Sequence, residues 1–272
     1  MGKPGGRKTG QHRGRIRQAD AQVRGFGLGD VTPPFLKRRA ALYVDGFNLF
    51  HALLDQGRPE WLWLDLRAMA QGLIDPMETL AGVTWVAAHR PQHRGRMEAM
   101  FRYEQALRAR RVRCLMGHFV VHPDHCRACG HTWMSATEKQ SDVNMALAVA
   151  SDAAADRFDT AYILTTDGDH AATARFVKET APDKRVVSVA PPGRIHNRQI
   201  ADWSDELVGI GPNLVARSML PDRLKTAQGW VERPLAWTAP PTPPPPPDPA
   251  PPPSPVPPSS SKAGHLTLVV SN

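Results

Sequence analysis

Five short apolar runs punctuate the middle of the chain: residues 40–44 (AALYV), 83–88 (VTWVAA), 112–116 (VRCLM), 161–165 (AYILT) and 185–189 (RVVSV). Each is nearly continuous and carries β-branched or aromatic residues, the pattern of strands buried on both faces. Between them the apolar positions space out. Residues 64–74 and 96–110 have helical periodicity. In 138–154, Val143, Ala146, Leu147 and Ala150 fall at i, i+3, i+4 and i+7, which predicts one apolar helix face turned to the core. Strands alternating with helices from about 37 to 211 predict an α/β fold, a parallel central sheet covered by helices on both faces.

In such sheets functional groups gather at the carboxyl ends of the strands, near the point where strand order reverses. Two of the runs end in acid. Asp45 closes the first in LYVDGFN, and Asp167 closes the fourth in YILTTDGDH, with Asp169 two residues on. Turn chemistry accounts for either alone, because Asp-Gly favours a tight turn and Asp is a good helix N-cap. It does not account for both at one edge. If both strands are central, the carboxylates face each other across one crevice.

A third acid, Asp142, is expected in the first turns of its helix. Thr137-Glu138-Lys139-Gln140 reads as a capping box there, and Ser141 as a second candidate cap. Asp142 could simply complement the helix dipole, while Lys139 beside it could hold a phosphate or a carboxylate. Carboxylates this close repel, which raises some of their pKa values unless a divalent cation neutralises them. An all-oxygen set including the Asn48 amide suits Mg²⁺ or Mn²⁺, ions that activate water and orient a phosphodiester. A phosphatase built on two acids at the first strand is disfavoured, since Phe47 stands two residues after Asp45.

Asp45-Gly46-Phe47-Asn48, then Glu138-Lys139-Gln140-Ser141-Asp142-Val143-Asn144, then Thr165-Thr166-Asp167-Gly168-Asp169 follow one another within about residues 40–212. Together, in this order, they resemble the bacterial NYN-domain family, a branch of the PIN-like nucleases. The resemblance implies a PIN-like, three-layer, Rossmann-like domain and a ribonuclease, a hydrolase that cuts RNA with Mg²⁺ or Mn²⁺. It makes Asp45, Asp142, Asp167 and Asp169 the metal-binding acids, with Asn48 orienting the site through the metal or through Asp45. His170 stands where an apolar or aromatic residue is more usual for the family, and reads either as a helix-start residue packing locally or as a substrate contact. The stretch from Leu220-Pro221 through Gly229 to Arg233-Pro234 and Trp237 resembles an extension that some members carry. The domains expected are thus a basic arm (1–36), the nuclease-like domain (37–212, with an insert at about 117–134), an extension packed on it (213–238) and a Pro-rich tail (239–272). The alternative function is a module that holds RNA or a protein partner in the same crevice without cutting.

Charge and composition add the surroundings. The first 39 residues hold ten Lys and Arg against Asp20 and Asp30, so the whole formal net charge of +8 lies there. Such a Gly-rich arm cannot bury a core; it is expected to be disordered, and either drawn to nucleic acid or merely solubilising. Residues 240–258 hold 14 of the 27 prolines, which predicts a disordered, stiff spacer or a ligand for a protein partner. Arg90, Arg94 and Arg96 follow the second apolar run, where guanidinium groups near the acidic edge could grip backbone phosphates. Cys126 and Cys129 have the spacing of a zinc knuckle, with His118, His122, His125 and His131 at hand to complete a tetrahedron. A structural Zn²⁺ there would brace the helix of Asp142; an unmetallated turn is the next alternative, and a redox pair the last, since Gly130 just after it argues for a turn instead of a helix. Cys114, within a strand, reads as core. Three cysteines form no even disulfide set, and no run of about 18 apolar residues occurs, so the chain reads as a cytoplasmic protein that does not span a membrane.

Overall fold

Alternate residues of the first long strand belong to different cores. Ala40, Leu42 and Val44 pack with one buried cluster, Ala41 and Tyr43 with another, as the two-residue period of a strand covered on both faces requires. The computed structural model describes residues 15–18, 37–89 and 94–238. They fall in one of two compact units of the chain, Met1–Ala239; the other, Pro240–Asn272, lies outside them.

In chain order the strands are β1 (Arg15–Gln18), β2 (Arg38–Asp45), β3 (Glu78–Ala88), β4 (Arg113–His125), β5 (Thr132–Lys139), β6 (Thr160–Leu164), β7 (Arg185–Ala190), β8 (Glu206–Gly209), β9 (Arg223–Thr226) and β10 (Gly229–Glu232). The helices are α1 (Gly46–Leu54), α2 (Leu66–Leu73), α3 (Arg94–Ala109), α4 (Ser141–Ala154), α5 (Ala171–Thr180), α6 (Arg198–Ala201) and α7 (Pro212–Arg217). The central sheet runs β8-β7-β6-β2-β3-β4-β5, and β1 adds a further edge strand beside β8. All its pairs are parallel except β4 with β5. Helices α1, α2, α3 and α7 pack into the first cluster, and α4, α5 and α6 into the second, which gives the three layers of an α/β domain. Among the described residues no helix is long and apolar enough to cross a membrane.

All five expected strands are present, and three differences from the expected layout bear on the site. First, the inward face of α4 is Met145, Ala148, Val149 and Ala153. Val143 and Leu147 instead point outward, 58% and 59% exposed. This helix carries two apolar stripes, and the periodicity rule cannot say which one meets the sheet. Second, Thr137 lies within β5, so no capping box starts there. The Glu138 carboxylate closes the helix end instead, accepting from the Ser141 backbone N–H at 3.1 Å and its hydroxyl at 2.6 Å. Third, Arg15–Gln18 of the basic arm pairs with β8, since an edge strand asks only for backbone partners. The rest of the arm lies outside the described residues.

The expected insert is the outer half of a β-hairpin. β4 pairs with β3 only from Arg113 to Gly117; from His118 to His125 its partner is β5. The hairpin therefore projects beyond the carboxyl edge of the sheet, and Phe119 on it meets Phe47 of α1 edge-on at 6.0 Å. Residues 223–237 fold back onto the domain: β9 and β10 pack against α3, and Trp237 is buried among Phe50, Trp63 and Tyr103.

Candidate metal centre at the carboxyl edge

Strand order reverses at β2: the chain moves to β3 and β4 on one side, then returns to β6, β7 and β8 on the other. A crevice opens between the carboxyl ends of β2 and β6, the place where an open parallel sheet offers a binding site. Val44 pairs with Leu164, so Asp45 and Thr165 leave the sheet at the same level.

Local bonds then fix the acids. Asp45 is the N-cap of α1, one oxygen accepting from the Asn48 N–H at 3.0 Å and the other from the Thr165 hydroxyl at 2.8 Å. The Thr165 oxygen also accepts from the Asp167 N–H at 3.0 Å, which locks the two acidic loops together. Asp167 caps the turn that follows, accepting from the Asp169 N–H at 3.0 Å. Asn48 uses both ends of its amide on Thr166, with contacts between 3.1 and 3.2 Å. It is a positioning residue that staples α1 to the loop after β6.

Asp142 enters from the other layer, in the first turn of α4. One carboxylate oxygen each from Asp142, Asp167 and Asp169 lie within 4.8 Å of one another. Asp142 also belongs to a second group of the same span, with Asp45 and a ring nitrogen of His170. These are the groups of three or more potential ligands found among the described residues. Burial pushes the Asp142 carboxyl up, and the nearby Asp45, Asp167 and Glu138 push the same way, while His170 opposes them. That is the expected sign for crowded carboxylates.

The donors fit a divalent cation. Ligand oxygens of an octahedral Mg²⁺ or Mn²⁺ are about 3–4 Å apart, and these groups, each within 4.8 Å, are close enough for one ion to draw together. A buried polar atom points the same way: His170 is 1% exposed, and its Nε2 makes no hydrogen bond among the described residues. Asp45, Asp142 and Asp167 lie on a cavity of about 380 Å³ lined also by Phe47, Asn48, His51, Glu138, Thr166 and Arg194, while Asp169 and His170 line a neighbouring one that shares Asp142.

Other expected contacts are less central. Lys139 is exposed at the end of β5 and is not part of that lining; His51 and Arg194 are the basic residues that are. Arg90 lies outside the described residues, and Arg94 and Arg96 fall in the first turn of α3. His89, from the same segment, is committed to Glu104 at 2.7 Å. The Cys126–Cys129 pair forms a tight turn, with Gly130 at φ +73° and its N–H on the Cys126 carbonyl at 2.8 Å. Hydrogen bonds from the Cys129 side hold the Cys126 thiol below its ordinary pKa. No histidine joins the pair in a group of three among the described residues. His118 and His122 bond to Gln140 and Thr137, and His131 stacks on Trp133. The expected core cysteine, Cys114, is buried, its thiol pushed up to about 12.

Thr165, Glu138 and Arg194 are site residues that sequence reasoning did not single out. The hydroxyl pair before Asp167 was the readable signal for the first, because a Thr two residues ahead of a capping Asp can accept from its N–H while donating to a second acid.

No family model and no curated protein matches the chain. A crystal structure of a protein of unknown function from Vibrio parahaemolyticus is similar at 16% identity, with a TM-score of 0.44, covering 65% of this chain and 96% of that one.

Proposed function

We propose that the chain is a divalent-metal-dependent ribonuclease of the NYN type within the PIN-like group, with the crevice between β2 and β6 as its active site. The observation that supports it best is the pair of ligand groups sharing Asp142 at the point where strand order reverses. A bound Mg²⁺ or Mn²⁺ supplies Lewis-acid polarisation of a phosphodiester and a nucleophile at neutral pH.

The remaining work belongs to the chain. Asp45, Asp142, Asp167 and Asp169 supply the anionic ligands. Thr165 and Asn48 hold two of the three acidic elements in register before any ion arrives, so little reorganisation remains when one binds. Arg194 and His51 line the crevice, and the Arg194 guanidinium, held by Asp55, is placed to meet a phosphate flanking the bond to be cut. Glu138 at the end of β5 lines one side, and Phe47, edge-on to Phe119 of β4, offers an aromatic surface on which an unpaired base can stack.

Cleavage of end-labelled single-stranded and structured RNAs tests this. Wild type is expected to cut with Mn²⁺ or Mg²⁺ and not with EDTA, and Asp45→Asn to lose at least about a hundredfold in rate, since it removes a ligand from the site. RNA that is bound but left whole under every metal contradicts the enzyme and favours the binding module.

A further inference from the structure

The sequence Asp167-Gly168-Asp169-His170 ends on a side chain that the acidic reading leaves idle. His170 follows the short turn capped by Asp167 and starts α5. It is buried, yet its Nε2 has no hydrogen-bond partner among the described residues. Asp142 Oδ1 is 3.5 Å away, which is longer than a good N–H···O bond. At that distance it gains electrostatic attraction to Asp142 but no hydrogen bond to replace its lost hydration. The direction in which it points explains it. One His170 ring nitrogen, one Asp45 oxygen and one Asp142 oxygen lie within 4.8 Å of one another, close enough for a single cation to draw together.

We propose that His170 is a direct nitrogen ligand of the divalent cation, together with Asp45 and Asp142, and that it makes this position prefer Mn²⁺ to Mg²⁺. This rests on the divalent-cation reading of the crevice and deepens it. Imidazole suits the first-row transition ions, whereas Mg²⁺ keeps to oxygen donors and water. The carboxylates of Asp142, Asp167 and Asp169 carry no such preference between Mg²⁺ and Mn²⁺. A neutral imidazole also adds a ligand without adding charge to a site already crowded with acids.

The test is pulsed electron paramagnetic resonance on the full chain loaded with one equivalent of Mn²⁺, its histidines labelled with ¹⁵N. A directly bound imidazole nitrogen is expected in wild type and absent in His170→Phe and His170→Asn. Two variants of different size guard against a packing defect, and thermal melts in EDTA check that each folds. Calorimetry should show Mn²⁺ affinity falling at least about tenfold in both variants, given that even outer partners of ligands cost this much, with Mg²⁺ affinity changed less than about threefold. Bound Mn²⁺ with no nitrogen coupling overturns the role of His170 and leaves the carboxylate site standing. Coupling that persists in both variants places the ion on another histidine and overturns it equally. No Mn²⁺ binding at all sinks the proposal together with the reading beneath it.

Discussion

At the residue scale the crevice is a balance between repulsion and restraint. Asp142 holds its proton to a higher pH than an ordinary Asp because burial and three neighbouring acids disfavour its charge. The folded chain thus binds this proton more tightly than the unfolded chain, so stability falls as pH rises from the usual Asp range through the raised value. Asp142→Asn removes that cost. In EDTA at neutral pH the variant is expected to unfold at a higher urea concentration than wild type, with the gap closing in mild acid; an equal or lower midpoint contradicts the crowding. With Mn²⁺ present the order should reverse, because only wild type then gains stability from the ion. Thr165 provides the restraint. It is buried, and its hydroxyl serves both Asp45 and the Asp167 N–H. Thr165→Val leaves both partners short and is expected to cost about 1–3 kcal/mol in urea unfolding, together with a roughly 10- to 100-fold loss of Mn²⁺ affinity. A variant as stable and as tight as wild type would show that the acids need no such staple.

At the element scale, α4 is held where β4 and β5 meet, and Gly117 makes the approach possible. A Cβ at this position would sit 2.6 Å from the Lys139 carbonyl, 2.7 Å from the Glu138 carboxylate and 2.8 Å from the Ser141 hydroxyl. These are the groups that end β5 and start α4. Gly117→Ala is therefore expected to push the start of α4 away from the crevice, costing about 1–3 kcal/mol and weakening Mn²⁺ binding through Asp142 without touching a ligand. Unchanged binding in a destabilised variant would separate the hairpin from the site. The sequence carried this part poorly, because the contact joins residues more than 20 apart and a lone Gly in a strand announces only a close approach. Strand β5 escaped notice for a related reason: none of its positions is fully buried, so it lacks the apolar run that marks β2 or β6. The stripe on α4 was legible as apolar, yet its direction depends on where the helix lands.

At the scale of the whole molecule, the pattern of apolar runs was enough to read a parallel sheet with helices on both faces, since burial on two sides leaves a continuous hydrophobic signature. The acids were legible for the same reason: Asp45 and Asp167 each terminate such a run, and the topology brings run ends to one edge. His170 was not. Its meaning depends on burial and on a missing hydrogen bond, neither of which a linear sequence displays. For the molecule as a whole, a divalent ion is expected to seek the carboxyl edge between β2 and β6 in preference to the acidic surface or the Cys126–Cys129 turn. Anomalous diffraction from crystals grown with Mn²⁺ measures this directly. The strongest Mn²⁺ peak is expected within coordination distance of Asp142 and of at least one of Asp45 and Asp167. Strong Mn²⁺ peaks elsewhere and none in the crevice would contradict it.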